Sequence, residues 1–180
     1  MAEEVETKVL DIDVEETKKK LLDLGAEKIA EDRIVVDWFD FPNRKEGEEN
    51  WFLRIRTYSN GKKEVTWKAR SEITGTTRRH KEINFELEEP EKLADLFQEI
   101  GLQNYAHQEK DRISFAYKDW RFDIDQYPKC PAFVEIEGKS EEHVKEAMKL
   151  LGLENNKTWA DGERKLIQNI FGVNWYDMKF

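Results

Sequence analysis

Charged side chains at alternate positions of strand-like runs constrain this chain more than any other feature. Glu4-Val5-Glu6-Thr7-Lys8, Arg54-Ile55-Arg56, Lys110-Asp111-Arg112, Asp123-Ile124-Asp125 and Glu135-Ile136-Glu137 each set ionisable groups between or beside apolar and β-branched neighbours. In an extended strand, residues i, i+2 and i+4 share one face, so each run presents a row of charge on one side. A half-buried strand ordinarily turns such a row to water. Five rows within 180 residues predict instead that the charges converge on a wet interior holding a charged ligand.

The rest of the composition is that of a folding chain. Charged and hydrophobic residues each make up 38%, and six Trp, ten Phe and five Tyr supply a core, so a single domain over 1–180 is expected, with core strands within 3–138 and C-terminal helices within 140–172. A net charge of -9 argues against a nucleic-acid or anionic-membrane surface, which needs clustered Lys and Arg, while leaving room for a local cationic pocket. Cys130 is the single cysteine, so no internal disulfide forms. The start lacks the basic-then-apolar leader of a secretory signal, and no apolar run approaches the roughly 20 residues that span a bilayer. The expectation is a cytoplasmic protein without membrane or nucleic-acid partners, with a homodimer as the expected assembly.

Strand-like runs fall at about 3–11, 31–41, 51–58, 62–70, 77–88, 105–117, 120–127 and 131–138. Ser59-Asn60-Gly61 predicts a tight hairpin between the third and fourth, and Lys118-Asp119 a turn between the sixth and seventh, at 105–117 and 120–127. Asp13 caps a helix that ends at Gly25, with Glu16 placed for a capping box. Pro90 opens a second helix with Leu93, Leu96, Phe97 and Ile100 on its apolar side, ended by Gly101. Ser140 caps a third, through Leu151, and a fourth covers 160–171. The chain also resembles itself. A shift of 76 places Glu6 on Glu82, Leu21 on Phe97 and Gly25 on Gly101; a shift of 69 places Trp51 on Trp120, Arg54 on Asp123, Arg56 on Asp125 and Lys68 on Glu137. Each half then reads strand, helix, three strands. Two such halves predict an α+β fold, a closed eight-stranded antiparallel β-barrel with flanking helices and space inside for one small ligand.

On that pairing, a cationic wall of Arg54, Arg56 and Lys68 faces an anionic wall of Asp123, Asp125, Glu135 and Glu137, joined by Glu4 and Glu6. Carboxylates hold hard divalent cations, and guanidinium or ammonium groups hold phosphate oxygens, so the combination points to a polyanion bound together with a metal. Taken singly, most of these residues have plainer readings. Arg54 and Arg56 alone are a surface stripe, Lys68 alone is a lysine in a strand, and Asp123 suits a salt bridge as well as a metal. His80, His107 and His143 show no ligand spacing, and Cys130 has no Cys/His partner pattern, so neither is given a role. Trp67 lies on the face opposite Lys68 and is expected to pack against a helix.

The Glu4-Val5-Glu6-Thr7-Lys8 pentapeptide resembles the Glu-x-Glu-x-Lys signature that begins proteins of the CYTH superfamily, the triphosphate tunnel metalloenzymes. Its position, and the order of the matches that follow, extend the resemblance over about 4–137. These are Asp40-Phe41-Pro42, Leu53-Arg54-Ile55-Arg56, Thr66-Trp67-Lys68, Lys81-Glu82-Ile83, Lys110-Asp111-Arg112, Ile124-Asp125 and Phe133-Val134-Glu135-Ile136-Glu137. The chain looks most like the branch of class IV adenylyl cyclases and thiamine-triphosphatase-like proteins.

The resemblance implies a tunnel that binds a small-molecule triphosphate with Mg2+ or Mn2+. It makes Lys8, Arg54, Arg56, Lys68, Lys110 and Arg112 phosphate contacts, and Glu4, Glu6, Asp125, Glu135 and Glu137 metal ligands or organisers of water, with Glu4, Glu6 and Lys8 closest to the reaction. On the fifth strand Arg78, Arg79 and Lys81 all offer a basic group, and Lys81 with Glu82 is carried forward; Asn84 departs from the acidic residue relatives keep there. The implied activity is hydrolysis of an inorganic, nucleoside or thiamine triphosphate. The rival activity is cyclisation of ATP to cyclic AMP and pyrophosphate, and a non-catalytic nucleotide or polyphosphate binder is the rival of another class.

Overall fold

In the computed structural model, residues 3–180 are described, with side chains from Val5 onward. Eight strands form the frame: β1 (Glu3–Val9), β2 (Glu27–Asp40), β3 (Trp51–Tyr58), β4 (Lys63–Ala69), β6 (Thr77–Glu86), β7 (Gln103–Tyr117), β8 (Trp120–Gln126) and β9 (Phe133–Gly138). They follow one another as β1-β9-β8-β7-β2-β3-β4-β6, and the pairing of β6 with β1 closes the ring. Every pairing in the ring is antiparallel. A short β5 (Glu72–Thr74) folds back on β6, β10 (Thr158–Trp159) continues the edge of β1, and β11 (Asp177–Met178) runs parallel to β7.

The two halves map onto each other in register as well as in order. β1, β2, β3 and β4 correspond to β6, β7, β8 and β9, and each pairing in one half has its counterpart in the other. Phe52 opposite Lys68 and Arg54 opposite Thr66 become Arg121 opposite Glu137 and Asp123 opposite Glu135, at the offset of 69. Glu82 opposite Lys68 becomes Glu6 opposite Glu137, which combines the offsets of 76 and 69. The β1–β6 and β2–β7 pairings join the halves and map onto themselves. Side-chain period fixes which face each residue takes, and a register slip of one would have turned every charged row outward.

The helices form where local chemistry stops and starts them. Asp13 accepts a hydrogen bond from Glu16 N (2.8 Å) to cap α1 (Val14–Asp23), and Ser140 does the same for α3 (Glu141–Leu150) through His143 N at 3.2 Å. Pro90 opens α2 (Pro90–Glu99), and Gly101, at φ 94, takes the left-handed turn that ends it. Outside the barrel, α1 and α3 cover β7, β8, β9 and β1 through Leu21, Phe115, Phe122, Ile136, Val144 and Met148. Phe97 of α2 covers β2, β3 and β4 through Phe39, Ile55 and Val65.

The C-terminal segment does something the sequence reading did not anticipate. It forms a helical turn α4 (Glu163–Lys165) that continues as π-helix over Leu166–Ile170, shorter than the expected 160–171, and it packs against the inner face of the barrel. Leu166, Ile167 and Trp175 bury themselves among Ile34, Val36, Trp38, Ala106, Tyr127 and Phe133. One part of the interior is thus a dry plug, and the charged rows have the remainder. β2 begins four residues before the expected start, and β5, β10 and β11 are additions; strands of two or three residues carry too little pattern to read.

Candidate functional site

The inner faces of the strands surround a cavity of about 630 Å³. Arg54, Arg56, Lys68, Lys110, Arg112, Glu6, Glu135 and Glu137 line it, so eight of the residues expected from sequence meet in one place. Lys8 and Asp125 are each 1% exposed and lie against those side chains. The backbone of Glu4 lies in β1 opposite His80, and the side-chain role expected for Glu4 falls outside the described residues.

Most cations here already face a carboxylate. Arg112 holds Asp125 through two nitrogens at 2.6 Å each and Asp123 through a third at 2.7 Å. Lys110 Nζ lies 2.9 Å from Asp125, and Lys8 Nζ lies 2.8 Å from Glu135. Arg78 pairs with Glu6, and Arg56 with Glu64. Lys68 Nζ lies 2.5 Å from Glu82 and 3.0 Å from His80 Nε2. The two walls expected from sequence therefore stand on the expected strands, but counter-charges are laced through each. Asp123 makes a salt bridge, the first of its two readings.

Arg54 is different. Among the described residues its guanidinium makes no ion pair; it lies over the Trp38 ring, 5.2 Å from the centroid, and its Nε is buried without an acceptor. Arg56 Nε is also buried without an acceptor. Buried donors left unmatched are costly, so these atoms mark where a ligand's acceptor oxygens would be most stabilising.

The electrostatics point the same way. Burial alone would raise the carboxyl of Glu6, but Arg78, assisted by Lys68 and Lys8, outweighs it and holds Glu6 at about 2. Glu135 is held well below the usual range by Lys8, Arg112 and Arg78 against the same opposing effect of burial. Asp125 is lowered by Arg112 and Lys110, again against burial. Burial pushes the Lys110 ammonium down with the help of Arg112, and pushes Arg56 down with the help of Arg54. Cations crowded enough to repel one another gain from an added polyanion, and carboxylates this acidic stay ionised to hold a cation.

Two residues correct the reading of β6. Lys81 is exposed on the outer face, because period two from Glu82 selects 78, 80 and 84 for the inside. The basic group that β6 directs inward is Arg78, between Glu6 and Glu135. His80, given no role from sequence, is 4% exposed beside Lys68 and Glu82. Glu163 was also missed: from the plug it comes within 3.7 Å of Lys110. No strand alternation marks it, since it reaches the site from a helix start.

Among the described residues, no three carboxylate, imidazole or thiol groups converge as a preformed metal cage. The donor chemistry nonetheless fits Mg2+ or Mn2+. Glu135 is near enough to Glu6 to raise its carboxyl, both line the cavity with Glu137, and Mg2+ characteristically takes one or two carboxylates and completes its shell with water and substrate phosphate.

Comparison with known proteins places this geometry. The family model of the CYTH domain matches residues 2–159. Among curated proteins no significant sequence match is found. Of solved structures, the PH1819 protein of Pyrococcus horikoshii OT3 is 20% identical, with TM-score 0.75, covering 93% of this chain and 99% of that one. An adenylate cyclase candidate from Vibrio parahaemolyticus is 13% identical, with TM-score 0.76, covering 92% and 97%. An adenylyl cyclase candidate from Hippeastrum, described as having a dominant triphosphatase activity, is 14% identical, with TM-score 0.69, covering 94% and 96%. At these identities the likeness is one of fold.

Proposed function

The chain belongs to the CYTH domain family, and from that premise we propose that it is a metal-dependent enzyme that binds a triphosphate in the barrel cavity and hydrolyses its terminal phosphate. The observation that carries the reading is the pair of buried guanidinium nitrogens, on Arg54 and Arg56, that lack acceptors at the wall of a cavity whose other side holds Glu6, Glu135 and Glu137. Arginine donors in that arrangement match phosphate oxygens.

Arg54, Arg56, Lys68 and Arg112 would align and neutralise the phosphate chain, with Lys8, Lys110 and Arg78 extending the positive field behind them. Arg78 and Lys8 now neutralise Glu6 and Glu135; with substrate present they would turn toward phosphate, freeing the carboxylates. Glu6, Glu135 and Glu137 would hold Mg2+ or Mn2+. When bound, the ion supplies Lewis-acid polarisation of the phosphoryl oxygens. A water oriented by the acidic group attacks the terminal phosphorus as the bond to the bridging oxygen breaks, its proton passes to a phosphate oxygen or to solvent, and orthophosphate and the shortened polyphosphate leave. A carboxylate held at about 2 is a weak base, so Glu6 would act by orienting water and by charge, as expected where positioning and electrostatics supply most of the rate.

The cavity volume, about 630 Å³, is that of a pocket for a drug-sized molecule, and this favours a substrate with an organic moiety or a second reading in which the 3'-hydroxyl of ATP attacks the α-phosphorus. The two part on products. ATP incubated with Mg2+ or Mn2+ is expected to yield orthophosphate without cyclic AMP, and Glu137→Gln to lower turnover by roughly 100-fold or more, on the scale of losing a charge-stabilising group. Cyclic AMP with matching pyrophosphate would transfer the reading to a cyclase. Absence of any product, with a ligand-induced melting shift, would leave a binding protein.

A further inference from the structure

The internal symmetry is broken on the outer surface at one place. α3 packs on β9 and β1, where Ile136, Thr7 and Val9 are 0–1% exposed beneath it. The flank of α1 faces the same helix: Leu24 joins that core, and Lys20 reaches the Gly152 turn that follows α3. Applying the two offsets carries Ile136 to Trp67, Thr7 to Ile83, Val9 to Phe85, Lys20 to Leu96 and Leu24 to Ile100. The first half thus has the floor and the side of a helix-sized slot, but no described element fills it. Ile83 is 44% exposed, Phe85 57%, Leu96 54% and Ile100 62%, and Trp67, expected under a helix, is half-buried. Exposed apolar residues grouped on equivalent positions of one such slot mark an interaction surface.

Its charges say what covers it. Along the outward row of β6 the order is Arg79 and Lys81, then Ile83 and Phe85, and past the strand end come the exposed Glu88, Glu89 and Glu91. Glu72 of β5 is the strand partner of Arg79 and Lys92 lies 2.6 Å from Glu89, yet the outward row itself still runs from basic through apolar to acidic, so it is complementary to itself when turned end for end. A two-fold contact sets the same patch on both subunits in that reversed sense. We propose that this face is where a second copy of the chain docks, Phe85 and Ile83 of each copy packing across a two-fold axis and the Arg79–Lys81 end of one meeting the Glu88–Glu89 end of the other. The proposal does not rest on the chemistry of the cavity.

Sedimentation equilibrium of the full chain tests it. The wild type is expected at twice its 21.5 kDa mass. Phe85→Glu and, separately, Lys81→Glu are each expected to weaken the dimer, Phe85→Glu by roughly 30-fold or more as for a central interface residue. Glu89→Lys added to Lys81→Glu restores the unlike pairing and is expected to recover the dimer. Unchanged circular dichroism keeps a folding defect from passing as dissociation. A wild type that stays monomeric at every concentration overturns the proposal and leaves the face to a different protein. A dimer that survives both Phe85→Glu and Leu96→Glu also overturns it, because the contact then lies elsewhere.

Discussion

Arg54 and Arg112 line the same cavity, yet they stand in opposite energetic situations, and their truncation separates binding from folding. Arg54 makes no ion pair among the described residues. Arg54→Ala removes a buried donor that has no acceptor together with its contact to Trp38, and is expected to cost far less stability than the loss of a paired cation. It is expected to weaken tripolyphosphate binding by roughly tenfold to 100-fold, the worth of charge-assisted hydrogen bonds. Arg112 neutralises Asp123 and Asp125 together. Arg112→Ala removes the guanidinium shared by two buried carboxylates and leaves Asp125 to Lys110 and Asp123 to Arg121 and Ser114, so chemical denaturation is expected to show a loss of about 3 kcal/mol, the low end for breaking a buried pair. Equal stability losses in the two variants would contradict this division. Alternation made most of these side chains legible from sequence, because it assigns a face without knowledge of the partner strand. It also held the answer for β6: counting by two from Glu82 reaches Arg78 and excludes Lys81. What it could not show was which cation each carboxylate would meet, since that depends on neighbours supplied by register.

At the scale of elements, the plug is the part that local pattern did not disclose. Its apolar residues, Leu166 and Ile167, are fully buried inside the barrel, and only the closed ring defines the space they fill. Ile167→Ala is expected to cost roughly 2–5 kcal/mol in equilibrium unfolding, as for a core truncation that leaves a cavity. The plug is also tied to the 41–50 loop by Arg164 Nη1, 2.7 Å from Glu49. Burial alone would raise the carboxyl of Glu49, but the hydrogen bond and charge of Arg164 outweigh it and leave it lowered from 4.5. A carboxyl depressed in the folded state stabilises fully above its unfolded value, and that contribution fades as pH falls through the folded value. The melting-temperature gap between wild type and Glu49→Gln is therefore expected to be widest near neutral pH and to close on acidification below about pH 4. A gap that widens on acidification would reverse the assignment. The caps of α1 and α3 were legible because Asp13 and Ser140 act within three residues; the plug depends on the whole ring.

For the whole molecule, duplication accounts for both the frame and the site. The offsets of 76 and 69 read from sequence are those that superimpose the strand pairings of the two halves. A repeated strand-helix-three-strand unit closes its own edges by pairing with its twin, so closure follows from the repeat without further elements. Equivalent positions carry basic residues on β3 and β4 and acidic ones on β8 and β9, the arrangement on which the proposed binding of a polyanion with a hard cation rests. Fold alone does not choose a reaction, since the CYTH barrel could serve hydrolysis, cyclisation or binding. The central claim is that this interior cleaves a triphosphate with a divalent metal. Phosphorus NMR of tripolyphosphate, ATP and thiamine triphosphate, each incubated with the protein and Mg2+ or Mn2+, tests it most directly. The account predicts that at least one yields its diphosphate and orthophosphate in equal amounts, and no conversion when a chelator replaces the metal. All three left intact with either metal, or cleaved equally well in the chelator, would contradict it.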